Sequence, residues 1–255
     1  MPLLGQAVAW GLIAGSGLLL GAVAAVSLSG RLPHRVIAGT MSFGGGVLIA
    51  QLSVDLMEAA FRRGGPAAAT AGFLAGAVVF CSANWRLSRA GARHRNRCGG
   101  CVQQPTESQH PGSGRAIALG AVLDGIPESL VIGLSLLGGE RTGIGLVAGF
   151  FLANIPQGLS SASGMLKARR STRYIFGVWT GIPVSGGLAS GAGLLLLGGA
   201  PPAVLATILA FAAGGVLAML AESMIPEAAE DAQPFTGLFA VLGFLCAFLI
   251  LKAVD

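Results

Sequence analysis

Charge is scarce in this chain: only 11% of its 255 residues are Asp, Glu, Lys or Arg, against 53% hydrophobic residues. Soluble domains carry about 25% charged residues, so the shortage excludes an ordinary soluble domain, and the apolar excess excludes a disordered or fibrous chain. Cysteine is scarce as well. Of the four, Cys81 and Cys246 sit inside apolar runs, and Cys98 and Cys101 form a lone C-x-x-C in a basic stretch, which excludes a disulfide scaffold. A basic n-region is missing from Met1-Pro2-Leu3-Leu4, and the apolar stretch runs on to about Ser29. That is too long for a signal-peptide core and long enough to span a bilayer. The Gly44-Gly45-Gly46 run lacks the Lys-Ser/Thr of a phosphate loop, so ATP hydrolysis is not expected. No Ser/His pair or His-rich constellation lies within the apolar runs, so the chain is not expected to be an enzyme.

What is present is a series of long apolar segments. A spanning helix needs roughly 20 mostly apolar residues, and runs between charged or Pro/Gly-rich breaks fall near 4–29, 36–60, 66–87, 116–137, 143–166, 174–199, 203–226 and 235–253. The expected fold is therefore an all-α polytopic membrane protein of eight transmembrane helices, with residues 1–255 forming a single transporter domain. One connection is long: residues 88–115 read as a polar, basic loop between the third and fourth helices.

The formal net charge of +5 does not point to nucleic acid, because the basic residues cluster in short gaps between apolar runs. With the amino terminus outside, 12 of the 16 Lys and Arg fall in cytoplasmic loops. The positive-inside rule then predicts both termini outside an inner membrane and the 88–115 loop in the cytoplasm.

A repeat is hidden in the second and seventh spans. Gly45-Gly46-Val47-Leu48 and Glu58-Ala59-Ala60 recur at an offset of 169 as Gly214-Gly215-Val216-Leu217 and Glu227-Ala228-Ala229. The two copies are an odd number of spans apart and so run in opposite directions. Ile126-Pro127-Glu128-Ser129-Leu130 is echoed in the adjacent span by Ile155-Pro156-Gln157-Gly158-Leu159. Inverted repeats, with binding near the midplane on interrupted helices, mark secondary transporters.

Two ionisable residues lie deep in the fourth span. A charge at the bilayer centre costs a few kcal/mol, so it needs a partner or a function. Asp124 and Glu128 are one turn apart on one face, with Pro127 between them to free a carbonyl. The fifth span offers Asn154 and Gln157 around Pro156. If the two helices face each other, the result is an oxygen-rich site for a divalent cation, expected to involve Asp124, Glu128, Asn154 and Gln157. Two carboxylates match the charge of one such ion. Left empty, the pair is expected to share a proton, so that uptake slows at low pH.

Weaker signals flank this set. Asp55 and Glu58 near one helix end, and Glu222 and Glu227 near another, read either as acidic vestibules at the mouth and exit of a pathway or as ordinary solvated helix ends. For Glu230 and Asp231 the solvated reading is preferred. His94, Cys98 and Cys101 have zinc-ligand chemistry at a spacing that matches no closed structural site, and read either as a basic loop or as a metal-receiving one.

Taken together, these motifs resemble the ZIP (Zrt/Irt-like) metal transporters along essentially the whole chain. The resemblance rests on Asp124-Gly125-Ile126-Pro127-Glu128-Ser129, on Asn154-Ile155-Pro156-Gln157-Gly158, and on Phe211-Ala212-Ala213-Gly214-Gly215 running to Glu222-Ser223-Met224-Ile225-Pro226-Glu227-Ala228. It implies an eight-helix bundle with inverted repeats, often dimeric, that carries Zn²⁺ or a similar divalent ion into the cytoplasm with no bound cofactor. The chain departs from the family where a His and an Asn are usual, at Asp124 and Gly125, and has neutral Ala153, Gln157 and Ser190 where the family tends to place ligands. Without bridging carboxylates, one metal ion is expected in place of two. A non-transporting membrane sensor or scaffold with a degenerate centre is the alternative these losses suggest.

Overall fold

The computed structural model describes residues 3–28, 32–92, 104–138, 140–232 and 235–254. Among them there is helix and no strand, as expected for backbone that must satisfy its own polar groups in lipid. The helices are α1 (Leu3–Ser27), α2 (His34–Ala50), α3 (Met57–Leu87), α4 (Ser113–Ser135), α5 (Glu140–Lys167), α6 (Thr172–Leu197), α7 (Pro202–Met219), α8 (Ile225–Ala232) and α9 (Thr236–Val254).

Seven helical stretches of the described residues are long and apolar enough to cross a membrane. One of these, His34–Ala92, runs for 59 residues and contains both α2 and α3. Straight, it would extend about 90 Å. Gly65 interrupts it with φ 71° and ψ −176°, a conformation open to glycine, and Pro66 follows at once.

Gly-on-backbone contacts set how the helices pair. Gly17 and Gly21 of α1 rest on the Phe151 and Ile155 carbonyls of α5, so these two run parallel. α4 and α6 are also parallel, Gly133 lying on the Ser190 carbonyl and Gly186 on Ser129. In α2 and α9, Gly46 meets the Ala240 carbonyl and Gly243 the Phe43 carbonyl; in α3 and α7, Gly214 meets the Phe73 carbonyl and Gly76 the Phe211 carbonyl. Helices in lipid gain no hydrophobic free energy by meeting each other, so close van der Waals approach between small residues holds them together. That is the structural use of the glycines at these contacts. α4, α5 and α7 are the most enclosed of the long helices, and α9 and the α2–α3 stretch the least.

The sequence-based boundaries need two corrections. The 88–115 stretch carries helix at its edges: a π-helical segment, Ser88–Ala92, follows α3 and turns at Gly91 with φ 101°, and α4 begins at Ser113. Helix persists there because unpaired backbone groups near the membrane are costly. Second, the seventh span does not end near 226: α8 carries it to Ala232. α4 and α5 run unbroken through Pro127 and Pro156, as the expected spans 116–137 and 143–166 do; a proline within a packed span loses one hydrogen bond, and neighbouring helices compensate. Irregular, π-helical turns lie at Gln51–Leu56 and Leu220–Met224.

Residues 104–112 are tied to the corner between α5 and α6. Gln104 is buried and its Nε2 donates to the Ser161 carbonyl at 3.2 Å. The Arg170 guanidinium donates to Glu107 at 2.5 Å, to the Pro105 carbonyl at 3.1 Å and to Ser113 Oγ at 2.6 Å. Arg170, helped by the N–H groups of Gly112 and Gly114, holds the Glu107 carboxyl down to about 2, below its ordinary 4.5. A carboxylate depressed in the folded state stabilises above its unfolded pKa, and that contribution is lost as pH falls through the folded one. Limited proteolysis of residues 104–112 should therefore be slower in the wild type than in Glu107→Gln at neutral pH, the difference shrinking from about pH 4.5 and vanishing near pH 2. Equal cleavage of the two at neutral pH would mean the tie holds nothing.

Candidate metal centre

All four expected ligands are buried: Asp124, Glu128, Asn154 and Gln157 are each 4% exposed or less. Helical periodicity puts Asp124 and Glu128 on one face of α4. The structure joins α4 to α5 at this level directly, since Asn154 Nδ2 donates to Glu128 Oε2 at 3.2 Å and also to the Ala14 carbonyl of α1 at 3.1 Å. Asn154 thus meets Glu128 through its nitrogen and orients the carboxylate. Glu128 Oε1 and Gln157 Oε1 are both buried with no hydrogen-bond donor. A buried acceptor without a partner is costly. Two of them on facing helices, both oxygens, are what a hard or borderline cation would satisfy.

Glycines in and beside the repeat back this centre. A Cβ on Gly44 would stand 2.8 Å from Pro156 Cγ, and one on Gly215 3.4 Å from Pro127 Cγ, so α2 leans on the α5 proline and α7 on the α4 proline. Ser190, where the family tends to carry a ligand, donates to the Ala7 carbonyl at 2.9 Å and ties α6 to α1. Ala153 is fully buried beside the same helices.

The flanking carboxylates are spread apart. Asp55 lies half-buried in the first π segment. Glu58 is exposed and forms a 3.6 Å pair with Arg62, a type of contact worth about 1 kcal/mol or less. Glu222 lies in the second π segment and accepts a hydrogen bond from Asn84 of α3. Because Gly64 packs on Ala206 while Asn84 meets Glu222, Glu222 lies roughly 25 Å along the α3–α7 pair from the Gly65 break. Asp55 and Glu58 precede that break. The side chain of Glu227, like those of Glu230 and Asp231, lies outside the described residues, as do His94, Cys98 and Cys101. Among the described residues, no three His, Cys, Asp or Glu side chains gather as a metal site, so neutral oxygens such as Gln157 Oε1 would complete any coordination around Asp124 and Glu128.

Gln51 and Asn84 are among the buried polar residues that the sequence analysis did not single out. Gln51 is 1% exposed, donates through Nε2 to the Leu146 carbonyl at 2.9 Å, and has an unpartnered Oε1. It opens the first π segment, and π turns inside helices are frequent at functional sites. Its signal was a lone amide closing the apolar run that begins at Gly44. The chain matches no family model and no curated protein.

Proposed function

We infer that this protein is a ZIP-like secondary transporter that imports a divalent metal ion, zinc first among the candidates, through a single-ion site between α4 and α5. The observation that carries the reading is the pair of donorless buried oxygens, Glu128 Oε1 and Gln157 Oε1, on neighbouring helices beside a second carboxylate at Asp124. A divalent ion supplies the missing positive charge, and Asp124 with Glu128 balances it. The ion leaves chemically unchanged, so the reading is of a transporter and not of an enzyme.

Eight crossings in two inverted halves fit this function. In support, the 59-residue helix far exceeds the ~30 Å hydrocarbon thickness and breaks at Gly65-Pro66, between two segments each long enough to span. The halves correspond in their packing: α2 on α9 and α7 on α3 use the same glycine-on-carbonyl contacts, with Phe43 answering to Phe211 and Gly46 to Gly214. Both π segments also fall at matching places in the repeat. The packing register is 168, one less than the offset of 169 in the sequence. With an even number of crossings and the basic loops inside, both termini face outward, Asp55 and Glu58 line the outer mouth, and Glu222 with Glu227 marks the exit.

The test is initial-rate uptake of Zn²⁺, with Cd²⁺, Mn²⁺ and Fe²⁺ in parallel, into proteoliposomes holding the full chain. Saturable uptake of at least one ion is expected, slowing as pH falls. No flux above empty liposomes from folded, correctly inserted protein would overturn the reading.

A further inference from the structure

A groove runs along the outer side of the α4–α6 pair. At one end it opens into a cavity of about 450 Å³ between Val122, Gly177, Gly181 and Ser185. It continues into a second of about 190 Å³ that reaches Ser129 and Ala189. From Tyr174 to Ala189 the groove follows about 22 Å of helix, more than one leaflet of hydrocarbon. The groove exists because two helix positions carry no side chain: around both Gly177 and Gly181 a Cβ would meet nothing within 4 Å. At Gly133, Gly158 and Gly214, by contrast, a neighbouring helix fills the space. Gly237, at the start of α9, is open too, but it stands alone, whereas Gly177 and Gly181 lie one turn apart on one face.

Polar chemistry marks one end. Tyr174 Oη donates to the Gly114 carbonyl at 2.5 Å, which sets the starts of α4 and α6 level. Arg115 and Arg173 flank this contact, each exposed. Arg115 shares a helix face with Ala118 and Val122, and Arg173 with Gly177 and Gly181. Arg170 is neutralised by Glu107, whereas Arg115 and Arg173 form no ion pair among the described residues. Among the described residues, then, two arginines without an ion-pair partner stand at the starts of the helices that line the groove, and its floor behind them is mostly apolar.

We propose that this groove is a specific binding site for one anionic glycerophospholipid, its phosphate held by Arg115 and Arg173 and one acyl chain lying over Gly177 and Gly181. Charge chooses this occupant over a second copy of the chain, which would bring another pair of arginines to the same mouth. Basic pockets between membrane helices recognise anionic headgroups in this way. The bound chain lies against Val122, Gly125 and Ser129, the back of the α4 turn that carries Asp124 and Glu128.

The full chain in bilayers would be labelled with acyl-diazirine phosphatidylglycerol or with phosphatidylcholine bearing the same tail, and the sites mapped by peptide mass spectrometry. Labelling between residues 174 and 189 should favour the anionic probe, the preference falling roughly fivefold per arginine in Arg115→Gln and Arg173→Gln. Gly177→Leu/Gly181→Leu should abolish labelling there by both probes, and circular dichroism should show unchanged helix because the space is open. Equal labelling by both lipids, or labelling spread evenly over other exposed helix faces, would overturn the proposal. A shift in oligomeric state in the leucine variant, with lipid labelling unaltered, would assign the groove to a protein interface and overturn it too. None of these readouts depends on metal uptake.

Discussion

Glu128→Gln is expected to lower metal uptake at subsaturating concentration by about a hundredfold or more, while the protein remains as stable as the wild type or becomes more so. Removing one member of a buried charge pair costs the remaining member about 3–5 kcal/mol, and each 1.4 kcal/mol is tenfold in affinity. In the transport reading the pair is cation and carboxylate, so the cost falls on the bound ion. Without metal the balance reverses. Glu128 is 4% exposed, with Asp124 one turn away, and its Oε1 has no donor. A glutamine keeps the shape, and its oxygen can still accept the 3.2 Å hydrogen bond from Asn154. Proteoliposome uptake and thermal unfolding in detergent, measured on the same preparation, separate the two effects. Uptake at the wild-type rate would remove Glu128 from the site, and a large fall in melting temperature would make it a structural residue.

The second large effect is expected at Gly214, where alanine should prevent or badly weaken folding. A Cβ there would stand 1.9 Å from the Phe73 carbonyl oxygen and 3.1 Å from the Ala77 nitrogen. Both are backbone atoms of α3, so no side chain can swing aside, and α3 must move off α7. Overpacking costs about 1–3 kcal/mol even where side chains yield, so about 3 kcal/mol or more is expected here. Gly46→Ala should behave alike, its Cβ meeting the Ala240 carbonyl at 1.9 Å. Gly177→Ala is the control, because the space there is open and alanine gains up to about 1 kcal/mol in helix propensity. The check is the yield and unfolding temperature of monodisperse protein. A Gly214→Ala variant that melts with the wild type would mean the α3–α7 contact is looser than described.

Much of this was legible in the chain because the membrane imposes a simple code. A shortage of charge and long apolar runs specify helices that span, since the bilayer core tolerates no other open backbone. The break at Gly65-Pro66 could be placed from its neighbours in sequence alone. So could the burial of Asp124 and Glu128, because carboxylates inside apolar runs have nowhere else to go, and the i, i+4 spacing put them on one face. The repeat was visible as words, Gly-Gly-Val-Leu and Glu-Ala-Ala, to within one residue of its packing register.

Composition and periodicity stop where one helix meets another. Nearly every helix here is apolar all round, so no hydrophobic face announces which neighbour it takes, and lipid competes equally for every apolar side chain. The pairing of α1 with α5, α2 with α9 and α3 with α7 depends on which glycine leaves room for which carbonyl, a fit between residues far apart in the chain. The same fit turns Asn154 toward Glu128 and Ala14, ties Ser190 to α1 in place of a ligand role, and brings Gln51 inward against α5. The prolines show the same limit. Packed neighbours keep α4 and α5 continuous through Pro127 and Pro156, and the π-helical turns fall elsewhere, at segments that no residue type marks. The sequence by itself determined that the chain is a helical membrane protein with two buried carboxylates one turn apart. Tertiary structure alone decided which oxygens are left without a donor and where the bundle leaves a groove, because both depend on close contacts between helices and not on the order of residues along any one of them.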